Sequence, residues 1–304
     1  VSERRPRLRD VWPFGRAKTP GYGIAKTYYL SVLAATARMP AILEVINPEA
    51  RGGAVEGFGA PLAGSDKALL AEPMVRGGYV LATKDRKTVV KLLVLPRDEA
   101  GFDPDLFLNH PASAGLSDEI RARIRATWNV CQLTFESHDP AVHPAIAFFL
   151  GIAGRLASLT DGVVADPLSQ RYQLPDELVP KDALSPVDAR TVVRCRFEPL
   201  ESGIYGCTLG MQKFVLPEFE ISGIPAGKER EAEAFLLGVC QSVLMRGPIE
   251  AGTQVGVASA PILVAEGGLD RARWEGIPCF ELIPASRGEI GEALDAWVRQ
   301  ETQR

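Results

Sequence analysis

Two glutamates, Glu218 and Glu220, are the residues best spaced to do chemistry together. Two positions apart on a strand, they project from one face, where they could share a proton or ligate a cation. Arg194 and Arg196 have the same spacing on another strand-like run. Were the two strands adjacent, either guanidinium could neutralise a carboxylate, giving an anion pocket or a structural salt-bridge cluster. Phe219 and Ile221 supply the apolar half of the alternation, so a solvated acidic face explains the glutamates equally well. Burial separates these readings, because a deep cluster with raised carboxylate pKa values marks a site.

Other constellations are weaker. His138, Asp139 and His143, with Cys131 on the preceding strand-like run, form the one local group of metal-ligand types, but their spacing fits no common zinc framework. No metal and no cofactor is expected from them. Cys131 lies within a strand pattern, where a thiol is usually inert. Taking Glu201 as the centre of a hairpin sets Cys195 opposite Cys207, a pair read as core thiols rather than a disulfide or shared metal site. Gly57-Phe58-Gly59 lacks phosphate-binding spacing, and G-x-S-x-G, H-E-x-x-H, C-x-x-C and Walker motifs are all missing. No catalytic residue is assigned.

The elements that must position these residues follow from periodicity. Tyr79–Thr83 and Thr88–Leu95 flank a polar turn as a hairpin, the second strand reading as buried on both faces. Ser117 caps a short helix carrying Ile120 and Ile124, and Trp128–Glu136 follows as a strand whose apolar residues do not share one parity, predicting a bulge or two-sided burial. Residues 24–47 fit either an interrupted helix or a strand followed by a helix. Ala147-Phe148-Phe149-Leu150-Gly151-Ile152 returns as Ala234-Phe235-Leu236-Leu237-Gly238-Val239, each within a helical stretch between strand-like runs. The echo predicts two related β-α-β units packing equivalent helices onto one sheet, with both glycines permitting close approach. A final amphipathic helix carries Ile290, Leu294, Trp297 and Val298 on one face.

Composition sets the outer bounds. The 304 residues are 46% hydrophobic and carry a formal net charge of -4, enough for a large core and no global attraction for polyanions. No apolar run reaches the ~18 to 20 residues of a membrane-spanning helix. Tyr28–Leu33 behind a basic stretch superficially copies a secretory signal, yet Lys26 abutting so short a run favours a first core element. Five scattered cysteines, an odd number, fit reduced thiols in a cytoplasm.

The run Tyr205-Gly206-Cys207-Thr208-Leu209-Gly210-Met211-Gln212-Lys213-Phe214-Val215-Leu216-Pro217-Glu218-Phe219-Glu220 resembles the T-x-G-[LM]…G-x-P-E-x-E signature of an uncharacterised bacterial family, domain of unknown function 4261. Phe235-Leu236-Leu237 and Gly252-Thr253-Gln254-Val255-Gly256 are similar to elements of the same family, and the likeness extends over residues 118–283. Val215 departs from it, standing where a glycine is expected. The resemblance implies a bacterial source and a fold, but no activity.

Together these readings predict an α+β protein with mixed or mainly antiparallel sheets and two related β-α-β units in its C-terminal half. The expected organisation is a flexible basic arm over 1–23, an N-terminal α+β region over 24–116, and a C-terminal α+β region over 117–304. The expected function is that of a non-enzymatic protein-binding or regulatory module. Its partner is another protein or a second copy, met through Trp12 and Phe14 of the arm or through Trp297. Membrane and nucleic acid are disfavoured as partners. The alternative is an enzyme of unknown reaction using Glu218 and Glu220 beside Arg194 and Arg196.

Overall fold

The computed structural model describes residues 23–46, 71–82, 88–110, 113–137, 142–178, 187–268, 274, 276–285 and 289–302. Trp12, Phe14, His138 and Asp139 lie outside the described residues, and the His143 side chain is likewise not described. The chain divides into two compact units, Lys26–Val187 and Asp188–Arg304, the latter including Val1–Ala25. The fold is α+β, with two mostly antiparallel sheets. No helix among the described residues is long and apolar enough to cross a membrane.

In the first unit β1 (Tyr29–Ala34) leads to the short helix α1 (Ile42–Val45), so the described part of the stretch expected at 24–47 is a strand followed by a helix. The hairpin β2 (Gly77–Ala82) and β3 (Thr88–Pro96), helices α2 (Pro104–Leu108) and α3 (Asp118–Arg125), β4 (Asn129–Ser137), helix α4 (Val142–Leu159), β5 (Val163–Asp166) and β6 (Arg171–Gln173) follow. The sheet order is β2-β3-β4-β1-β5-β6. The domain boundary expected at 116/117 falls inside this unit, because β4 pairs with both β1 and β3 and cannot be parted from them.

Alternation along these strands is cleaner than the sequence pattern suggested. Val90, Leu92 and Val94 are buried while Lys91 and Leu93 are exposed, so β3 is not buried on both faces. On β4, Cys131, Leu133 and Phe135 share the buried face in an unbroken register, without the expected bulge. Phe149 of α4 meets Phe135 and Tyr28 edge-on, with ring centroids 5.4 and 5.2 Å apart. The opposite face is covered near β1 and β5 by Leu108, Ile120 and Ile124, packed with Leu33 and Val163. Ser117 caps α3 as predicted, its Oγ accepting from the Ile120 amide.

The second unit contains α5 (Ala189–Val192), β7 (Arg194–Leu200), β8 (Gly203–Leu209), a 3-10 turn (Met211–Phe214), β9 (Glu218–Ile224) and α6 (Glu229–Arg246). Then come β10 (Gln254–Val257), β11 (Ala260–Glu266), β12 (Cys279–Pro284) and α7 (Ile290–Thr302). Here the sheet order is β10-β11-β12-β9-β8-β7, with β12 and β9 parallel. Both α6 and α7 pack on this sheet and on each other.

The echo helices are α4 and α6, and each crosses between parallel strands. The first joins β4 to β5 over β1, to which both are antiparallel. The second joins β9 to β10 over β12 and β11. They serve separate sheets, which corrects the expectation of equivalent helices on one sheet in the C-terminal half. Large apolar residues on the inner face of a crossover helix are required wherever such a helix covers a sheet, so the repeated hexapeptide reflects that shared demand.

Candidate functional site

The site is built on the corner between β8 and β9. The hairpin of β7 and β8 closes through Leu200 and Gly203, so Cys195 faces Thr208 and Arg196 faces Cys207. This corrects the predicted opposition of Cys195 and Cys207 by one residue, and a one-residue slip in a strand turns every side chain to the other face. Strand β8 lies between β7 and β9, so Arg194 and Arg196 are not on a strand adjacent to the glutamates. Arg196 instead pairs with Glu198 on its own strand, Nε to Oε1 being 2.8 Å.

Glu218 and Glu220 are both fully buried, so the solvated acidic face is excluded. The Gly210 and Gln212 amides donate to Glu218 Oε1 at 2.7 and 3.2 Å, and the Thr208 hydroxyl donates to Oε2 at 2.8 Å. Thr208 Oγ1 in turn accepts the Phe219 amide at 2.8 Å. The carboxylate thereby clasps the end of β8, the 3-10 turn and the start of β9 into one corner. Burial pushes the Glu218 carboxyl up to about 7, against the opposing pull of these donors and of the Lys213 charge. Lys213 is itself fully buried and its ammonium donates to the Val192 carbonyl, fastening the 3-10 turn to the entry of β7. Two further backbone bonds hold the same turn, from Gly23 N to Phe214 O and from Ala25 N to Lys213 O.

Glu220 belongs to a second cluster. The Tyr205 hydroxyl and the Trp274 indole N–H both donate to its Oε2, each at 2.7 Å. Burial, then the bond to Glu220, pushes the Tyr205 phenol well above its ordinary value. Tyr205, Cys207 and Trp274 form a small core, with Leu209, Ile277 and Cys279 against it. Gly268 permits this closure, since a Cβ there would stand 2.7 Å from Trp274 Cδ1 and 3.2 Å from Glu220 Oε1.

Thiols surround both carboxylates. Register sets Cys207 beside Glu220 and Cys279 beside Glu218. Cys240 of α6 interacts with Thr208, Cys195 and Glu218. Burial, reinforced by the neighbouring carboxylates, pushes Cys240 and Cys279 up, so they are protonated and poor nucleophiles. Burial likewise pushes Cys131 up to about 12. All five cysteines are free thiols, and no group of three or more metal-ligating side chains occurs among the described residues.

Trp297 is half-buried and packs its ring against α6, meeting Phe235 edge-on at 5.6 Å and passing over Gly238. The sequence singled out both glutamates but not the residues that serve them. Tyr205, Thr208 and Lys213 stand inside the T-x-G…P-E-x-E run, where proximity along the chain was the available signal. Trp274 comes from a distant loop, and nothing local marks it as the cap of Glu220. Compared with protein-family models, curated proteins and solved structures, the chain matches none.

Proposed function

We propose that this chain is a non-enzymatic, cytoplasmic protein-binding or regulatory module in which the Thr208–Glu220 motif is structural. The observation that supports this reading is the internal use of both carboxylates: Glu218 accepts from Thr208, Gly210 and Gln212, and Glu220 accepts from Tyr205 and Trp274, all groups of the chain itself. A catalytic carboxylate must offer an oxygen to substrate, whereas these oxygens hold strands together. Five free thiols fit a reducing compartment. Kinship with domain of unknown function 4261 belongs to the same proposal, and the backbone supports it. Val215, where that signature carries glycine, has φ 60° and ψ 34°, a left-handed conformation that suits glycine.

One observation favours the enzyme reading: a buried carboxyl titrating near 7 is suited to general acid-base work. Substitution by glutamine separates the two. Glu218→Gln and Glu220→Gln are introduced separately at native expression level, and in-cell chemical cross-linking is compared with wild type. A discrete adduct to a second protein, or to a second copy, that persists in both variants supports the binding module. Loss of a turnover from cell extract in Glu218→Gln, with the fold intact, transfers the motif to catalysis.

A further inference from the structure

Trp128 is the one large aromatic exposed among the described residues, 60% exposed at the entry to β4. Its backbone is held on both sides. Trp128 N donates to Ala34 O at 2.8 Å, and its carbonyl accepts the Arg97 amide at 3.0 Å. Arg97 Nη1 reaches the Thr127 carbonyl at 3.3 Å, and Asn129 Nδ2 ties in the turn after β1 through the carbonyls of Thr36 and Ala37. The indole therefore stands on a rigid platform made by the ends of β1, β3 and β4, and a rigid aromatic loses little entropy when a partner covers it.

Arginines gather at the same end of the sheet. Arg38 lies in the turn tied to Asn129, Arg125 ends α3 three residues before Trp128, and both are exposed. Neither has a carboxylate partner among the described residues. Arg97, also at this corner, shares its charge with Asp98 at 3.4 Å, and Asp161 lies further along the same sheet end. Trp128 thus shares this sheet end with two exposed arginines that have no carboxylate partner among the described residues. Trp and Arg are the side chains that most often anchor interfaces, and cations without internal partners select a partner of opposite charge.

We infer that Trp128, Arg38 and Arg125 form a docking surface for an acidic peptide segment of a partner protein, one apolar or aromatic residue covering the indole and flanking carboxylates meeting the arginines. This rests on the reading of the chain as a binding module and names the chemistry of its partner. A nucleic-acid strand fits less well: it needs a basic track along several nucleotides, while this corner offers, among the described residues, two arginines without a carboxylate partner in a chain of net charge -4.

The test uses the full chain and three labelled probes followed by fluorescence anisotropy at low salt. They are a short peptide of glutamates and aspartates interrupted by phenylalanine, its counterpart with lysine for every acid, and an oligothymidylate. The acidic peptide is expected to bind at least about tenfold more tightly than the lysine peptide, with Trp128→Ala and Arg125→Glu each weakening it about tenfold and Trp128→Phe retaining most of the affinity. Unchanged melting of these surface variants confirms that the fold is intact. Equal binding of both peptides, undiminished binding by Trp128→Ala, or preference for the oligothymidylate overturns the inference. If cross-linked adducts form in cells while the acidic peptide fails, the partner chemistry is wrong and the binding module stands.

Discussion

Trp297 of α7 passes so close to Gly238 of α6 that a Cβ at position 238 would stand 3.0 Å from its Cζ2. The echoed Gly151 of α4 has nothing within 4 Å of the same construction. Close packing explains one glycine of the pair and not the other. Gly151→Ala is therefore expected to stabilise the protein by about 0.5–1 kcal/mol through helix propensity alone. Gly238→Ala gains the same propensity but drives the methyl into a ring already wedged against Phe235, so a net loss of about 1 kcal/mol is expected. Denaturant melts of both variants check this, and equal stabilisation would mean that α7 yields freely.

A second prediction concerns pH. The folded-state pKa of Glu218 is raised from 4.5 to about 7, so its ionised form opposes folding. Its contribution to stability is fully present below pH 4.5 and is lost as pH rises through about 7. A shift of this size corresponds to a loss on the order of 3 kcal/mol from this group. Glu218→Gln keeps the shape and cannot ionise, so urea melts between pH 5 and 9 should show a flatter profile than wild type. Parallel profiles would show that another group carries the dependence.

Val215→Gly tests the corner backbone. A β-branched residue at φ 60° is strained, and removing its side chain relieves more than the added freedom of the unfolded chain costs. A stabilisation of about 1 kcal/mol is expected, read as a rise in melting temperature. Destabilisation would mean that the contacts of the half-buried valine outweigh its strain.

Glu220 is expected to matter more than either of its donors. Tyr205→Phe removes one hydrogen bond, at about 1–2 kcal/mol, and Trp274→Phe removes one and leaves a small cavity besides. Glu220→Ala takes their shared acceptor from two buried donors at once and should cost about 3–5 kcal/mol. In the Glu220→Ala background, Tyr205→Phe should cost nothing further or restore stability. An additive double mutant would break the proposed coupling.

Much of the fold was legible because strands and helices bury one face, and that leaves a period. The hairpin of β2 and β3, the cap at Ser117 and the strand containing Glu218 all follow from local pattern. The Cys195 register failed by one residue because the two-residue turn at Glu201 and Ser202 sets the centre between those positions, not on one of them. The solvated reading of Glu218 and Glu220 failed for a different reason. Alternation shows which residues share a side, but their burial depends on Trp274 over Glu220 and on Cys240 near Glu218, both far away in sequence. Pairing of Arg194 or Arg196 with the glutamates likewise required a strand order that no spacing encodes.

The parallel pairing of β9 with β12 carries a consequence for folding kinetics. Cys279 is the register partner of Glu218, so one flank of β9 stays open until α6, β10 and β11 have been traversed and β12 returns. Long loop closure of this kind is slow, and in the unfolded chain Glu218 has an ordinary carboxyl, ionised at neutral pH. Burial in the finished sheet then raises the affinity of the carboxyl for a proton, to a pKa of about 7. Completion of the sheet is thus a proton-consuming step, and refolding of this unit should slow as the solution is made more alkaline.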